Sequence, residues 1–206
     1  MSSGLSLRPA GERAVLVELE DNDAVHRLAA ALESRRGGEL EEIVPGHQTL
    51  LLVWADQMPS QDAAAQMVDA AAGKVSELAA APEVTLRVRY DGPDLEAVAT
   101  GCGVSPEELV ARHQACEYRA GFIGFSPGFA YLLGGDPTLQ PPRLTEPRTR
   151  VPAGSLAIAG PYSAVYPRQS PGGWNLIGSC EESIFDPVLE SPALLVAGTI
   201  VRLVSE

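Results

Sequence analysis

The sequence of 206 residues has no apolar run long enough to cross a bilayer, and its N-terminus lacks the basic stretch and long apolar segment of a secretory signal. We therefore expect a cytoplasmic protein. Positive charge is also scarce, since 27 acidic residues against 15 basic ones give a net charge of −12 at pH 7. This balance argues against nucleic acid or an anionic membrane surface as a partner.

Motifs for metal, phosphate and nucleophile sites are also missing. The three cysteines, Cys102, Cys116 and Cys180, are widely spaced and lack the close pairs that zinc sites use, so we expect reduced thiols and no metal site. The glycine-rich P-loop, the HExxH zinc motif and the GxSxG motif are absent as well. If the protein helps to hydrolyse ATP, it does so without the usual phosphate loop.

What is present is ordinary globular composition, with 45% apolar and 20% charged residues, enough for one or two domains. In the first part of the chain, the apolar periodicity and the turn residues predict the order βαββαβ. The strands are expected at 14–20, 40–46, 48–54 and 83–90, and the helices at about 22–36 and 60–80. This is the ferredoxin-like split pattern, so we predict a small α+β domain over residues 1–90.

The composition and the apolar pattern of the chain change after Asp91-Gly92-Pro93. Two short helices are predicted at 94–103 and 105–116, and the chain beyond Glu117 is dense in glycine and proline between short apolar runs. Short strands separated by turn residues are typical of a β-barrel or sandwich. We therefore predict a mainly β second domain over residues 91–206, with the boundary near residues 88–93.

Three glycine- and proline-rich segments stand out in this second domain: GFSPGFAYLLGG at 124–135, RVPAGSLAIAGPY at 150–162 and SPGGWNLIG at 170–178. One interpretation is structural, because a closed barrel needs tight corners, and aromatic residues such as Phe122, Phe125, Phe129 and Trp174 would fill its core. The other is functional, because stiff loops that expose backbone N–H groups let a site approach a flat or anionic ligand closely. Both interpretations remain open from the residues alone.

The ionisable residues near these segments are candidates for chemistry. His113 falls in a predicted helix, where a surface histidine and a catalytic one are about equally expected. Arg148 and Arg150 could hold a carboxylate or phosphate through a bidentate pair, although a solvated charge is the commoner role.

Longer motifs resemble a known family. YDGPDLEAVATGCGVSPEELVARH, EYRAGFIGFSPGFAYLLGGDPTL, PRTRVPAGSLAIAG, SPGGWNLIG and FDP are similar to the family called allophanate hydrolase subunit 1, the B subunit of 5-oxoprolinase (PxpB) or KipI. The resemblance runs from about residue 85 to the C-terminus and implies a cyclophilin-like β-barrel. One departure is Tyr162-Ser163-Ala164, where many relatives have Gln-Thr-Gly.

The resemblance implies an enzyme subunit that opens 5-oxoproline to L-glutamate at the expense of ATP. Such a subunit acts with a companion of the same family, allophanate hydrolase subunit 2 or the C subunit of 5-oxoprolinase, and with a LamB/YcsF-type subunit. ATP, with magnesium, would be bound by the assembled complex, biotin is not expected on this chain, and the isolated chain is expected to be inactive. The alternatives are a urea carboxylase or allophanate hydrolase type of subunit, and a KipI-like inhibitor of a sensor histidine kinase.

In the enzyme interpretation, His113 is a candidate acid or base and Arg150 a candidate anion holder, and these are the two expected catalytic residues. The expected substrate-binding residues line the glycine- and proline-rich segments and are Ser126, Pro127, Gly128, Phe129, Tyr131, Pro152, Gly154, Tyr166, Ser170, Gly172, Gly173, Trp174 and Asn175. We expect all of them to converge on one pocket that another polypeptide completes.

Overall fold

The computed structural model describes residues 5–73 and 81–205. Contacts divide the chain into two compact units, Met1–Ala81 and Pro82–Glu206. This division falls before the strand predicted at 83–90, and therefore earlier than the boundary predicted near residues 88–93. Among the described residues, no helix has the length and apolar character needed to cross a membrane.

The first unit is an antiparallel sheet with helices packed on it. Its elements are β1 (Ser6–Pro9), β2 (Ala14–Glu18), α1 (Asn22–Leu32, continued by the 3-10 turn Glu33–Arg35), β3 (Leu40–Pro45), β4 (Thr49–Trp54) and α2 (Gln61–Ala72). The strand order is β1-β2-β4-β3. Along β4, Leu50, Leu52 and Trp54 are buried and alternate with less buried residues, as expected for a strand with one covered face.

The ferredoxin-like prediction is wrong in its last strand. The sheet is completed by β1, which pairs with β2, and not by the strand predicted at 83–90. The four residues of β1 end at Pro9 and lie at the edge of the sheet, the position in which a proline is tolerated. Such a short segment carries little periodicity and was not predicted. The helix predicted at 60–80 corresponds to α2, and residues 74–80 lie outside the described residues.

The second unit contains the expected β-barrel, with two helices before its second strand. The elements are β5 (Glu83–Arg89), α3 (Leu95–Cys102), α4 (Pro106–Ala115), β6 (Glu117–Ile123), β7 (Ala130–Leu133), β8 (Arg148–Val151), β9 (Ser155–Ala159), β10 (Tyr162–Val165), β11 (Ser170–Gly172), β12 (Asn175–Cys180) and β13 (Ile200–Ser205). Seven strands close a barrel in the order β10-β7-β6-β13-β5-β12-β9, and β8 and β11 form a separate two-stranded ribbon.

Strand β5 closes the barrel, and it therefore belongs to the second unit and not to the sheet of the first. It pairs in parallel with β13 from Ile200 opposite Glu83 to Ser205 opposite Val88, and antiparallel with β12. At the β12 contact, a Cβ on Gly178 would overlap the backbone carbonyl of Arg89. Glycine is therefore required where β12 crosses the end of β5.

Side chains on β9, β10 and β12 alternate between two apolar clusters. Leu156 and Ile158 belong to the interior cluster, to which all seven barrel strands contribute, whereas Ala157 and Ala159 belong to a second cluster on the outer side. All five residues of β9 are buried, because both of its faces are covered. These three strands therefore form a wall with packed side chains on both sides.

We predict that Gly178→Ala destabilises the protein by about 2 kcal/mol or more, because the new Cβ meets backbone atoms that cannot rotate away. Gly101→Ala is the matched control. Gly101 lies in α3, and no heavy atom lies within 4 Å of the position that a Cβ would take there, so alanine is expected to stabilise the helix by up to about 1 kcal/mol. Urea denaturation measures both changes, and equal effects of the two substitutions would contradict this account of β12.

Candidate functional site

The outer cluster of the barrel unit is dominated by aromatic rings. We call the following residues the aromatic cluster: Phe122, Phe125, Phe129, Tyr131, Tyr162, Tyr166 and Trp174. Phe129 lies at its centre, with ring centroids 5.1 Å from Tyr131, 5.3 Å from Tyr166 and 5.6 Å from Trp174. Edge-to-face contacts of this kind stabilise a rigid arrangement of the rings.

The glycine- and proline-rich segments hold these rings by close backbone approaches. A Cβ on Gly172 would overlap the hydroxyl of Tyr166, so the glycine allows that side chain to lie against β11. The backbone N–H of Gly154, a residue with φ of +79°, donates to the carbonyl of Tyr166 at 2.8 Å. Phe125 has a positive φ of 65°, which a bulky residue rarely adopts, and its ring contacts Phe129.

Two arginines lie beside the aromatic cluster. The guanidinium of Arg143 is 5.9 Å from the centre of the Trp174 ring, within the range of a cation–π contact. Arg148 donates from Nη2 to Oδ1 of Asp94 at 2.7 Å. Burial raises the pKa of Tyr166, and the Trp174 backbone and the charges of these two arginines partly offset that rise. Both positive charges therefore act on the same tyrosine hydroxyl.

Three buried side-chain atoms in this unit have no hydrogen-bond partner among the described residues: Ser126 Oγ, Arg148 Nη1 and Ser170 Oγ. Buried polar atoms in folded proteins are almost always paired, and an unpaired one loses its hydration without compensation. All three lie on segments that contact or flank the aromatic cluster, and each has hydrogen-bonding capacity that the described residues do not use.

His113 lies elsewhere, inside the barrel. Its Nδ1 is 2.9 Å from the hydroxyl of Tyr90, its Nε2 is 2.8 Å from Oγ of Ser163, and the residue is 1% exposed. The adjoining cavity has a volume of only about 10 Å³. Burial lowers the pKa of His113 to about 4, so the imidazole is neutral at physiological pH.

Strand β10 lies between His113 and the rings around Phe129, although Tyr162 also lines the small cavity beside the imidazole. Ser163, which contacts the imidazole, follows Tyr162, whose ring stacks with Trp174 on the other side of the wall. His113 contacts Tyr90, Tyr118 and Ser163, and not the rings around Phe129. The side chain of Arg150 is exposed.

The remaining predicted residues belong to three groups: rings of the aromatic cluster, residues that support it, and loop residues. Phe129, Tyr131, Tyr166 and Trp174 form the centre of the cluster, and Ser126, Gly154, Ser170 and Gly172 lie on the segments that hold it. Asn175 is structural, because its Nδ2 donates to the carbonyls of Pro142 at 2.9 Å and Ile158 at 3.2 Å. Gly128 lies against Phe185, and Gly173 lies against Pro147. Pro127 and Pro152 are exposed loop residues.

Sequence reasoning missed Arg143 and Tyr162 and preferred Arg150 to Arg148. Two arginines spaced by two share a face of a regular strand, but the β8–β11 pairing contains an irregularity between Ser170 and Gly172. Consequently Arg148 is half-buried and Arg150 exposed. The departure from the family pattern at Tyr162 was the one sequence signal for that ring.

A larger cavity of about 440 Å³ lies in the first unit, lined among others by Arg35, Glu39, Trp54 and Met67. None of the predicted site residues contributes to it. Among the described residues, no group of three or more His, Cys, Asp or Glu side chains is placed to hold a metal ion.

Comparisons with known proteins agree with the motifs. A family model described as carboxyltransferase domain, subdomain C and D, matches residues 5–195. The chain is 49% identical over 115 residues to the B subunit of 5-oxoprolinase from Escherichia coli O157:H7, and 46% identical over 113 residues to the corresponding B subunit from Bacillus subtilis. These alignments cover 56% and 55% of this chain and 53% and 47% of the relatives, so the chain spans about half the length of the curated relatives it matches.

Solved structures share the fold. TTHA0988 superposes with a TM-score of 0.80 at 34% identity, over 94% of this chain and 40% of that chain. The urea carboxylase of Kluyveromyces lactis superposes with a TM-score of 0.72 over 98% of this chain and 22% of that chain. At 18% identity, the second likeness shows a common fold alone.

The buried imidazole generates a pH prediction. The unfolded chain binds a proton at His113 below about pH 6.5, whereas the folded chain does so only near pH 4. Stability is therefore lost as the pH falls from 6.5 to 4, by roughly 3 kcal/mol from this group. Urea denaturation across this range is expected to show the loss in the wild type and to show a correspondingly smaller one in His113→Gln. The same slope in both proteins would contradict a buried, neutral His113.

Proposed function

The chain belongs to the carboxyltransferase-domain family, subdomains C and D, and on that premise we propose that it is a subunit of an ATP-dependent hydrolase that opens 5-oxoproline to L-glutamate. The observation that carries the proposal is the near 50% identity of the aligned residues to curated 5-oxoprolinase B subunits. The aromatic cluster with its two arginines is the part of this chain that fits such a substrate.

The geometry supports binding and orientation of a small ring acid. 5-Oxoproline is a planar lactam that carries one carboxylate, and it needs an apolar surface for the ring and a cation for the acid. The partly exposed rings of Tyr131 and Tyr162, backed by the buried Trp174, offer the surface, and Arg143 and Arg148 the cations. A rigid, largely dry surface also excludes water until the amide is activated.

ATP is proposed to bind elsewhere in the assembled complex, together with magnesium. When bound, it would supply a phosphoryl group to the lactam carbonyl oxygen with release of ADP, which would make the carbonyl carbon, a poor electrophile because of amide resonance, open to attack by water. The residues here do not fit a triphosphate, because the guanidinium of Arg148 is already paired with Asp94 and the sequence has no P-loop. Biotin has no proposed site on this chain.

An exposed apolar surface near the aromatic cluster supports a companion subunit as the partner. Phe125 is 62% exposed, Val188 88% and Leu189 59%. The loop carrying Phe125 is held against the 185–196 segment, where a Cβ on Gly128 would lie 2.6 Å from the Phe185 side chain. In TTHA0988, the part matching this chain is only 40% of a longer polypeptide, so additional protein accompanies this fold in a relative. We assign this surface to the companion subunit.

Two other functions have weaker support. The fold shared with the urea carboxylase of Kluyveromyces lactis favours a urea carboxylase or allophanate hydrolase type of subunit, but the identity there is 18%. A KipI-like inhibitor would use the same exposed apolar residues to bind a sensor histidine kinase. A kinase inhibitor does not account for the two arginines beside the aromatic cluster.

Activity is predicted to need the companion subunits. The isolated chain is expected to release no glutamate from 5-oxoproline and ATP, and the reconstituted complex is expected to do so. Arg143→Gln in that complex is expected to lower kcat/KM by about tenfold, because it removes the cation over Trp174. Arg202→Gln is the control, since Arg202 pairs with Glu83 and Glu117 on β5 and β6. Full turnover by the isolated chain would contradict the proposal.

The partner surface gives a separate prediction. Leu189→Asp is expected to weaken association with the coexpressed companion subunit by about tenfold, because it places a charge on an apolar contact. Val44→Asp changes a 38% exposed apolar residue of the first unit and is expected to leave co-purification unchanged. Equal recovery of the companion with both variants would remove the 185–196 segment from the interface.

A further inference from the structure

The guanidinium of Arg148 uses only part of its hydrogen-bonding capacity. Its Nη2 donates to Asp94 Oδ1, while the other carboxylate oxygen of Asp94 accepts from the backbone N–H of Leu176 at 2.7 Å. Asp94 is therefore held from both sides and fixes the orientation of Arg148. The Nη1 of Arg148 is buried and has no acceptor among the described residues. This buried N–H group has a fixed orientation and can donate to an acceptor that the described residues do not supply.

Ser170 projects from the same face of the β8–β11 ribbon. Ser170 lies opposite Val151, and Gly172 opposite Arg148, in an antiparallel pairing. Side chains of directly opposed residues leave an antiparallel pair on the same face, and the irregularity between the two pairs gives β8 one extra residue, which keeps Arg148 and Val151 on one face. Val151 is fully buried in the outer apolar cluster, so this face of the ribbon is directed at the aromatic rings. Ser170 Oγ is also buried without a partner among the described residues.

The hydroxyl of Tyr166 completes the group. It lies against Gly172, in a position that any side chain at 172 would fill. Because Gly172 is paired with Arg148 and lies two residues from Ser170, the phenol oxygen and the two unpartnered groups belong to one small region of the ribbon. The positive charge of Arg148 is close enough to act on the Tyr166 hydroxyl.

We propose that Arg148 Nη1, Ser170 Oγ and Tyr166 Oη form a carboxylate subsite, which orients a small cyclic acid with its ring towards the aromatic cluster. Asp94 neutralises much of the Arg148 charge, so the subsite suits a single carboxylate and disfavours a polyphosphate. The identity of the acid as 5-oxoproline rests on the proposed function, whereas the subsite rests on the two unpartnered groups and the Tyr166 hydroxyl beside them.

Three ligands distinguish the contribution of the carboxylate to binding from that of the lactam. The full chain is titrated calorimetrically with these three ligands. 5-Oxoproline carries both the carboxylate and the lactam, cyclopentanecarboxylate carries only the carboxylate, and 2-pyrrolidinone carries only the lactam. The subsite predicts that the two acids bind and that 2-pyrrolidinone binds at least about tenfold more weakly, the loss of one charge-assisted contact. Measurable and equal affinity of 5-oxoproline and 2-pyrrolidinone, or failure of both acids to bind, would overturn the subsite.

Variants test the residues themselves. Arg148→Lys keeps a positive charge beside Asp94 but removes Nη1, and it is expected to weaken acid binding by about tenfold. Ser170→Ala is expected to weaken it several-fold, and Arg202→Gln, remote from the ribbon, not at all. Thermal unfolding verifies that each variant is folded, and Ser170→Ala keeps the test valid if Arg148→Lys is unstable. Wild-type affinity in both ribbon variants would overturn the assignment.

The same titrations distinguish failure of the subsite from failure of the proposed function. Binding of cyclopentanecarboxylate that depends on Arg148, with no binding of 5-oxoproline, would support the subsite and contradict 5-oxoprolinase activity. Glutamate release by the reconstituted complex that is unchanged by Arg148→Lys and Ser170→Ala would support the activity and overturn the subsite.

Discussion

The alternation of side chains across β9, β10 and β12 is the constraint on which the rest of the second unit depends. One face of this wall carries Leu156 and Ile158 into the barrel, and the other carries Ala157 and Ala159 outward. Large residues fill the interior, while the alanines leave room for aromatic rings to approach the outer face. A second ordered surface can therefore exist on the outer side of a barrel whose interior is filled by side chains, and the proposed ligand site need not enter the barrel at all.

The electrostatics follow from the same division. His113 lies in the interior, where burial keeps it neutral and its two nitrogens are occupied by Tyr90 and Ser163. The outer face has Arg143 and Arg148, in a protein whose net charge is −12. The proposed binding of an acid by an acidic chain requires positive charge to be concentrated locally, and here the Asp94 pair keeps one arginine in place without using all of its donors.

Much of this arrangement could be predicted from the sequence. The helices of the second unit, its β-barrel and the aromatic residues Phe129, Tyr131, Tyr166 and Trp174 follow from local pattern and family motifs. The placement of β5 could not be predicted, because a strand of alternating residues fits either sheet and its partner β13 is more than a hundred residues away. Local periodicity carries no information about which distant strands pair with each other.

The site itself was predicted less well, for reasons of geometry. Whether a helix histidine faces solvent or a barrel interior depends on how α4 packs, so His113 was placed in the wrong environment. Arg148 and Arg150 are indistinguishable in the sequence pattern, and only the irregular pairing of β8 with β11 separates them. The unpartnered atoms that now define the subsite are visible only when every neighbour is in place.

The most direct test of the central claim uses the chain's two tryptophans, Trp54 and Trp174. Trp54 lines the cavity of the first unit, and Trp174 lies in the aromatic cluster, so their indole N–H signals report on the two candidate locations independently. On titration with 5-oxoproline, the nitrogen–proton correlation spectrum is predicted to show a saturable shift of the Trp174 signal while the Trp54 signal stays in place. A shift confined to Trp54, or no shift of either signal, would contradict a ligand site on the outer face of the barrel.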